Sequence, residues 1–175
     1  MFVAARLTAG VSSPASDSGD NDRVNISAKS DYAVRAMLTL AADDGGRPVK
    51  GETLAVSQQI PVKFLENILV DLRRAGLVAS QRGADGGYRL NRPADEITVA
   101  DVIRAVDGPL ANVRGVRPEE AAYSGSAERL RDVWIAMRAA LRSVLESVTL
   151  ADVASGRLPA AVRKLTADPD AWAPH

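Results

Sequence analysis

One stretch of the sequence places polar side chains of complementary chemistry along a single face of a predicted helix. Within residues 60–75 the large apolar residues recur at helical spacing and predict a buried stripe of Leu65, Ile68, Leu69 and Leu72. Lys63, Glu66, Asn67 and Val70 fall on another face, at i, i+3, i+4 and i+7. In a DNA groove an asparagine amide matches adenine, a glutamate accepts from cytosine N4, and a lysine reaches guanine or phosphate. An ordinary solvent-exposed face of mixed charge would show the same spacing. The neighbouring sequence therefore has to distinguish a DNA-reading face from such a surface.

A glycine-rich segment, Arg82 to Tyr88, follows this helix and is the most specific pattern in the chain. Three of its residues, at positions 83, 86 and 87, are glycines, which permit positive φ and a very close approach to a backbone or a groove wall. Arg82 precedes them and can enter a narrow minor groove, whose negative potential attracts it. The segment lies between two predicted strands with no helix N-terminus after it, which argues against a phosphate cradle.

Local charge favours a polyanionic partner for this part of the chain. The whole sequence carries 22 basic and 22 acidic residues, but residues 61–92 contain six basic residues against three acidic ones. Residues 93–175 contain ten basic against twelve acidic residues. Because phosphate contacts neutralise charge locally, the local surplus is the relevant quantity. Arg73 and Arg74 belong to this surplus and are therefore predicted to contact DNA. Ser57 and Gln58 are predicted to contact it because they precede the third helix, where a helix-turn-helix meets backbone phosphates.

Composition removes most enzymatic and metal-dependent functions. The chain has no cysteine, which excludes disulfides, zinc ribbons, thiolate nucleophiles and cysteine-ligated iron–sulfur clusters. Its one histidine is His175, so no histidine-based catalysis is expected. No apolar run approaches the roughly 18 residues of a membrane span, and residues 1–13 lack the apolar core of a signal peptide. We expect a cytoplasmic protein without a cofactor that is not an enzyme, although a carboxylate-based active site stays conceivable.

The elements that would position these residues begin with two helices. Ser30 is a possible N-cap of the first helix, and residues 45–46, both glycine, would end it. The second helix, over residues 52–58, is built on Leu54 and Ala55, with Val56 as a further core candidate. The core face of the first helix is predicted to consist of Val34, Met37, Leu38 and Ala41.

A third helix, a hairpin and a fourth helix complete this domain. Pro61 lies in the first turn of the third helix and Gly76 caps its end. A strand over 77–82 and a return strand over 88–90 predict the hairpin, and a helix capped by Thr98 follows over 98–106, with Val102, Ile103 and Val106 as its core residues. The predicted fold of residues 26–108 is therefore mainly α with a small β-hairpin, the order of a winged helix-turn-helix domain.

A long amphipathic helix is predicted over roughly residues 126–149, after a loop over residues 110–125. Its apolar residues alternate at spacings of three and four for about three heptads. This heptad seam consists of Leu130, Trp134, Met137, Leu141, Val144 and Val148. The length of the seam favours an equivalent helix of a second subunit as its partner, and packing on the core of the same chain is the alternative. Residues 109–155 are thus predicted to form an effector loop and a dimerisation helix.

Both ends of the chain are predicted to lie outside the folded part. Residues 11–25 are rich in Ser, Asp, Gly and Pro, which predicts disorder over residues 1–25. A second possibility is that natural translation begins at Val24. Residues 156–175 contain three prolines and are predicted to form a loosely attached tail.

Five motifs carry a resemblance to a known family: Lys29-x-x-Tyr32-Ala33-Val34-Arg35-Ala36-Met37, Ile60 through Phe64-Leu65-Glu66, Leu72-Arg73-x-x-Gly76-Leu77-Val78, Arg82-Gly83-x-x-Gly86-Gly87-Tyr88-x-Leu90, and Ile103-x-Ala105-Val106-Asp107. On these motifs, residues 26–153 resemble the IscR, NsrR and CymR family of bacterial winged helix-turn-helix transcription regulators. The resemblance implies a homodimer on double-stranded DNA that reads a pseudo-palindromic operator, with the long helix as its interface. It implies major-groove contacts by Lys63, Glu66 and Asn67 and a minor-groove contact by Arg82. The matching motifs add Lys29, Tyr32, Gly86 and Tyr88 to the predicted DNA-binding set.

The sequence departs from that family where its cluster-binding members hold their metal. Those members place cysteines between the fourth helix and the dimer helix, whereas residues 108–125 contain neither cysteine nor histidine. Glu119 and Glu120 in this segment are hard oxygen donors that suit a cluster poorly. The sequence therefore predicts a DNA-binding regulator, acting as a repressor, without an iron–sulfur cluster. An adaptor whose winged helix binds another protein is the alternative.

The signal that such a regulator answers is not evident in the sequence. A small ligand near residues 110–125 and a protein partner on the dimer body are both candidates. Arg117, Tyr123 and Trp134 could line a ligand pocket. In the alternative interpretation Trp134 is a seam residue and Tyr123 anchors the loop.

Overall fold

Seven α-helices and one antiparallel hairpin form the part of the chain that the computed structural model describes, residues 26–42, 46–83 and 85–173. The helices and strands are α1 (Ala28–Ala41), α2 (Gly51–Gln58), α3 (Val62–Arg74), β1 (Val78–Gln81), β2 (Gly87–Leu90), α4 (Val99–Asp107), α5 (Leu130–Leu145), α6 (Leu150–Ala154) and α7 (Ala160–Thr166). The mainly α fold with a small hairpin is thereby confirmed. The disorder predicted for residues 1–25 lies outside the described residues.

Helix α1 begins earlier than predicted, and its core face is rotated. The Ser27 hydroxyl, not that of Ser30, caps the helix by accepting from the Ser30 amide at 2.9 Å. Ser30 is instead buried inside the first turn. The centre of the buried face is Ala33, Ala36, Met37 and Leu40, whereas the predicted Val34, Leu38 and Ala41 flank it and are half-buried. Small alanines at the centre allow the neighbouring helices to approach closely, and a count of large residues misses them.

Helices α2 and α3 meet at a tight turn. Gln59 adopts a left-handed conformation, φ 53°, directly after α2, and the Ile60 amide donates to the Ala55 carbonyl at 2.9 Å. Ile60 is buried beneath this turn. Leu54 and Ala55 are buried as predicted, but Val56, the further core candidate, is 78% exposed. The pair α2–α3 therefore has the geometry of a helix-turn-helix.

The amphipathic prediction for α3 is confirmed. Leu65, Ile68, Leu69 and Leu72 are all buried in one cluster with α1, α2 and α4. Gly76, φ +72°, ends the helix as predicted, because its amide donates to the Arg73 carbonyl and the Leu77 amide donates to the Leu72 carbonyl, both at 3.0 Å. This pair of bonds is a Schellman motif. It turns the chain directly into β1, and so attaches the hairpin to the end of α3.

A third backbone segment, at Val49, pairs with the hairpin, and the sequence did not predict it. Val78–Gln81 pairs with Gly87–Leu90 in antiparallel register, and Val49 forms a further bridge to Tyr88. The amide of each residue in that bridge donates to the carbonyl of the other at 2.8 Å. A Cβ on Gly87 would lie 2.5 Å from the Val49 carbonyl oxygen. Glycine at position 87 is therefore required by the close approach of the segment between α1 and α2.

Helix α4 forms as predicted, whereas the long helix is shorter than predicted. Thr98 caps α4 through a reciprocal capping box with Asp101, and Val102, Ile103 and Val106 are buried. Helix α5 ends at Leu145, not at Thr149. Thr149 caps the new helix α6 and forms a backbone bridge with Thr98, which places Leu150 in the core against α1. The chain thus folds back onto the winged domain at a point where the heptad pattern predicted that the helix would continue.

The segment after α6 carries exposed apolar side chains. Helix α7 packs on a short 3₁₀ turn, Pro169–Trp172, and the Trp172 indole nitrogen donates to the Thr166 carbonyl at 2.8 Å. Leu165 and Trp172 are exposed. No helix within the described residues is long and apolar enough to span a bilayer.

Candidate nucleic-acid interface

The outer face of α3 carries the predicted base-reading side chains. Lys63, Glu66 and Asn67 are all exposed. Within the described part of the chain, no side-chain hydrogen bond or ion pair engages any of the three. The buried leucines and isoleucine on the opposite face fix the rotation of α3 in the core. The three polar groups therefore extend into solvent from a rigid helix, with their donors and acceptors free for a ligand.

The first turn of α3 is also open. Pro61 occupies the N-cap position without a capping side chain, and its carbonyl accepts from the amides of Phe64 and Leu65 at 3.0 Å. The amides of Val62 and Lys63 have no backbone acceptor among the described residues. Open amides and the positive end of a helix dipole favour an anionic group such as a backbone phosphate.

The tip of the hairpin, which the structure describes at residues 82–83 and 85–86, is shaped by its own backbone. Gly83 has φ +108°, in the left-handed region. A Cβ on Gly86 would lie 2.5 Å from the Gln81 carbonyl oxygen and 2.8 Å from that of Gly83. The close approach that the glycines permit is therefore to the hairpin itself. Gly86, predicted to contact DNA, allows the tip to fold, and Arg82 and Asp85 are exposed charged residues there.

Two basic side chains lie in the last turn of α3, which leads into the hairpin. The Arg73 guanidinium lies 3.5 Å from the Ser80 hydroxyl on β1. Arg74 is largely exposed and reaches Asp71 only at 3.6 Å. Exposed ion pairs of this kind contribute little to stability. Both arginines can therefore exchange these contacts for phosphate at small cost.

Several residues of the predicted DNA-binding set also make contacts within the protein. Lys29 donates to the Val106 carbonyl at 2.7 Å and pairs with Asp71 at 2.8 Å. Gln58 accepts from the Arg35 side chain and donates to Thr39 at 2.9 Å. Internal contacts are likewise made by the Ser57 hydroxyl with the Leu54 carbonyl, by the Tyr32 ring with the Phe64 ring, and by the Tyr88 backbone in the bridge to Val49. The side chains of Lys29 and Gln58 therefore help to hold the helix-turn-helix together.

Lys29 belongs to a clasp between α1 and α4 that sequence reasoning missed. Ser27 and Ser30 both donate to the Asp107 carboxylate, Ser30 at 2.7 Å. Asp107 ends α4 and Lys29 covers the neighbouring carbonyl, so the start of α1 satisfies polar groups at the end of α4. The sequence feature that could have indicated these contacts is the pair of serines, three residues apart, at the start of an amphipathic stretch. Through Asp71 the same lysine ties this clasp to α3.

The heptad seam faces a cavity of about 620 Å³ between α5, α1, α4 and residues 109–114. Trp134, Met137 and Leu141 line it, and no residue of α5 is buried within the single chain. Leu130 and Val144 are half-buried, whereas Val148 lies beyond the helix and is 7% exposed, which leaves little of it for a partner.

Polar residues of the loop close one side of this cavity. The Trp134 indole nitrogen donates to the Tyr123 hydroxyl at 3.0 Å, and the Arg114 guanidinium lies over the Tyr123 ring at 5.8 Å. Tyr123 and Trp134 thus line the cavity, the interpretation that the sequence left open beside a seam and anchor role, and Arg114 lines it in place of Arg117. At the far end of α5, hydrogen bonds from Arg142 and Arg104 lower the pKa of Glu146 and join α5 to α4.

The donor set of the chain does not fit an iron–sulfur cluster. The sequence has no cysteine, and its one histidine, His175, lies outside the described residues. Among the described residues, no group of three or more acidic side chains is placed to hold a metal ion. Glu119 pairs with Arg138, and Glu120 accepts from the Arg117 amide at 3.4 Å. Both carboxylates near the loop are therefore engaged with the protein.

A helix-turn-helix with an uncommitted polar face on its second helix and a hairpin attached to that helix defines a winged helix-turn-helix DNA-binding protein. The chain belongs to the Rrf2 family of transcriptional regulators. The model of that family, described as an iron-dependent transcriptional regulator, matches residues 26–156. The match ends just after α6, so α7 and the following turn lie beyond it.

Relatives and solved structures agree with this family. The HTH-type transcriptional regulator Rv1287 of Mycobacterium tuberculosis is 52% identical over 145 residues, which cover 83% of this chain and 90% of that protein. CymR of Bacillus subtilis is 39% identical over 132 residues, 75% of this chain and 91% of that protein. The crystal structure of that CymR, the global cysteine regulator of its organism, has a TM-score of 0.65 over 75% of this chain and 97% of its own, at 36% identity. IscR of T. potens has a TM-score of 0.60 at 32% identity, over 86% of this chain and 93% of its own. The resemblance found in the motifs is thereby confirmed.

Proposed function

We propose that the protein is a homodimeric repressor that reads a pseudo-palindromic operator without an iron–sulfur cluster. The observation that carries the proposal is the outer face of α3, where Lys63, Glu66 and Asn67 are exposed and uncommitted on a helix fixed by its buried stripe. With α3 in the major groove, the attached hairpin would bring Arg82 toward the adjacent minor groove. Such a protein would act on chromosomal DNA, which implies the cytoplasm.

The dimer in this proposal is formed through α5. Its seam residues Trp134, Met137 and Leu141 are only half-buried in one chain, and a helix with such a seam is stabilised by an apolar partner. Two copies of α3 related by a two-fold axis would read two half-sites about one helical turn apart. A dimer that occupies a promoter blocks transcription without needing a surface that contacts the transcription machinery, so we propose a repressor.

The signal in this proposal is a small molecule or a protein partner that acts near α5. The cavity beside Tyr123 and Trp134 is the candidate position, because it combines an apolar lining with a few polar groups and lies between helices. The cavity also lies next to Asp107, which belongs to the clasp between α1 and α4. A ligand there would act on the elements that hold α3.

The experiment that tests base reading compares Asn67→Ala with Arg74→Ala on the operator and on a scrambled duplex across a salt series. Asn67→Ala should cost roughly 1–3 kcal/mol on the operator and relax the preference at one base position per half-site. Arg74→Ala should weaken both duplexes about equally and reduce the salt slope by about one unit per subunit, because a phosphate contact carries no sequence information.

The same assay separates DNA reading from the adaptor alternative. Arg82→Ala should weaken operators with A·T-rich flanks more than those with G·C-rich flanks, whereas a protein adaptor would bind no site near its gene. If Asn67→Ala leaves the operator-to-scramble ratio unchanged, α3 is not the reading element.

DNA binding is expected to be independent of metal ions. The purified protein should be colourless, and its operator affinity should stay within about twofold after a strong chelator or anaerobic handling, because the chain has no thiolate to hold a cluster. Absorption spectra and gel shifts before and after chelation measure this. A cluster-type absorption band, or loss of binding on chelation, would contradict the cluster-free proposal.

A further inference from the structure

The first residue of α3, Val62, presents an apolar side chain where the polar reading face begins. Val62 is 47% exposed, and it is not among the apolar residues that pack on the core. The other apolar side chains of the first two turns are engaged, since Leu65 is buried and Phe64 stacks edge-on against Tyr32 with ring centroids 5.7 Å apart. Val62 is thus an apolar group at this end of α3 that the protein does not use for packing.

The position of Val62 relative to Glu66 places it at the edge of the reading face. The two residues are four apart on α3, about 6 Å along its axis, and the buried Leu65 and Leu69, at i+3 and i+7, lie on the other side of Val62. Recognition helices contact base edges mainly with their N-terminal residues. If α3 reads the major groove as proposed above, Val62 lies within about two base pairs of the base that Glu66 contacts.

Only one base edge in the major groove offers an apolar group, the C5-methyl of thymine. Adenine, guanine and cytosine present polar atoms there, and none of these can pair with a valine. Contact between the valine methyls and the thymine methyl removes two apolar surfaces from water. We propose that Val62 is a specificity-determining residue that reads one thymine in each half-site through its C5-methyl group. This inference rests on the proposed function.

The test uses an operator enriched from a random duplex library with the full-length protein. Each thymine of one half-site is replaced singly by uracil, which removes only the C5-methyl. For the wild type, one replacement should weaken binding about fourfold, the factor expected for one methyl-sized group. The same replacement should change the binding of Val62→Ala by less than about twofold. Val62→Thr, which keeps one methyl, should fall between them.

A matched control comes from α2, where Val56 is 78% exposed and lies outside the recognition helix. Val56→Ala should keep the full uracil penalty of the wild type, and unchanged thermal melting shows that each variant is folded. If uracil is tolerated at every position, or if Val62→Ala keeps the same penalty, the thymine-reading role of Val62 is wrong while the proposed function stands. If the library yields no enriched sequence at all, base reading by α3 fails, and the role of Val62 fails with it.

Discussion

Leu141→Glu is expected to convert the protein to a monomer that binds its operator at least about a hundredfold more weakly. Leu141 lies in the C-terminal half of α5 and lines the cavity between α5 and the winged domain. A carboxylate buried in the proposed seam would cost on the order of several kcal/mol. Because no residue of α5 is buried in the single chain, the winged domain should keep its fold. A monomer then has one recognition helix in place of two, and most of its specific affinity is lost.

Light scattering measures the mass, and gel shifts on the full operator and on a half-site measure the binding. Leu165→Glu is the matched control, since Leu165 lies on α7, is 56% exposed and does not belong to the heptad seam. That control should remain dimeric with unchanged operator affinity. A Leu141→Glu variant that stays dimeric would show that the seam packs within one chain or that the dimer forms elsewhere.

Gly87→Ala is expected to destabilise the protein by about 2–4 kcal/mol. The added Cβ would lie 2.5 Å from the Val49 carbonyl oxygen and 2.6 Å from its carbon, so one strand has to move. Both backbone hydrogen bonds of the Val49–Tyr88 bridge, each 2.8 Å, lie beside this contact. A chain of this size should then lose roughly 5–15 °C in melting temperature. At temperatures where the variant is folded, the displaced hairpin should also weaken operator binding.

Gly51→Ala provides the control, because it adds the same methyl group on the other side of Tyr88. Its Cβ would meet the Tyr88 ring at 3.5 Å, an ordinary contact, and it lies at the start of α2. Its stability should change by no more than about 0.5 kcal/mol. Thermal and urea melts of both variants measure the difference. Equal melting of Gly87→Ala and the wild type would show that Val49 and the hairpin are not held as close as the structure has them.

Sequence alone determined the features that depend on neighbours within a few turns. The buried stripe of α3 follows from apolar residues three and four apart, and it was predicted correctly. The stops and starts at Gly76 and Thr98 also follow from local chemistry, because a left-handed glycine ends a helix and a threonine hydroxyl satisfies free amides. The order of elements, and with it the winged helix-turn-helix fold, was therefore readable from the chain, whereas the family was indicated by the resemblance of five motifs.

Tertiary structure decided which polar side chains are left for a ligand. Lys29 and Gln58 have the same chemistry as Lys63 and Asn67, but partners far along the chain engage them: Val106 for Lys29 and Arg35 for Gln58. Spacing along one helix holds no information about groups that arrive from elsewhere. Long-range packing also determines where α5 ends. The heptad pattern alone would continue the helix, but the bridge between Thr98 and Thr149 and the burial of Leu150 outweigh it. Local periodicity specifies a face, and long-range packing determines whether that face is occupied.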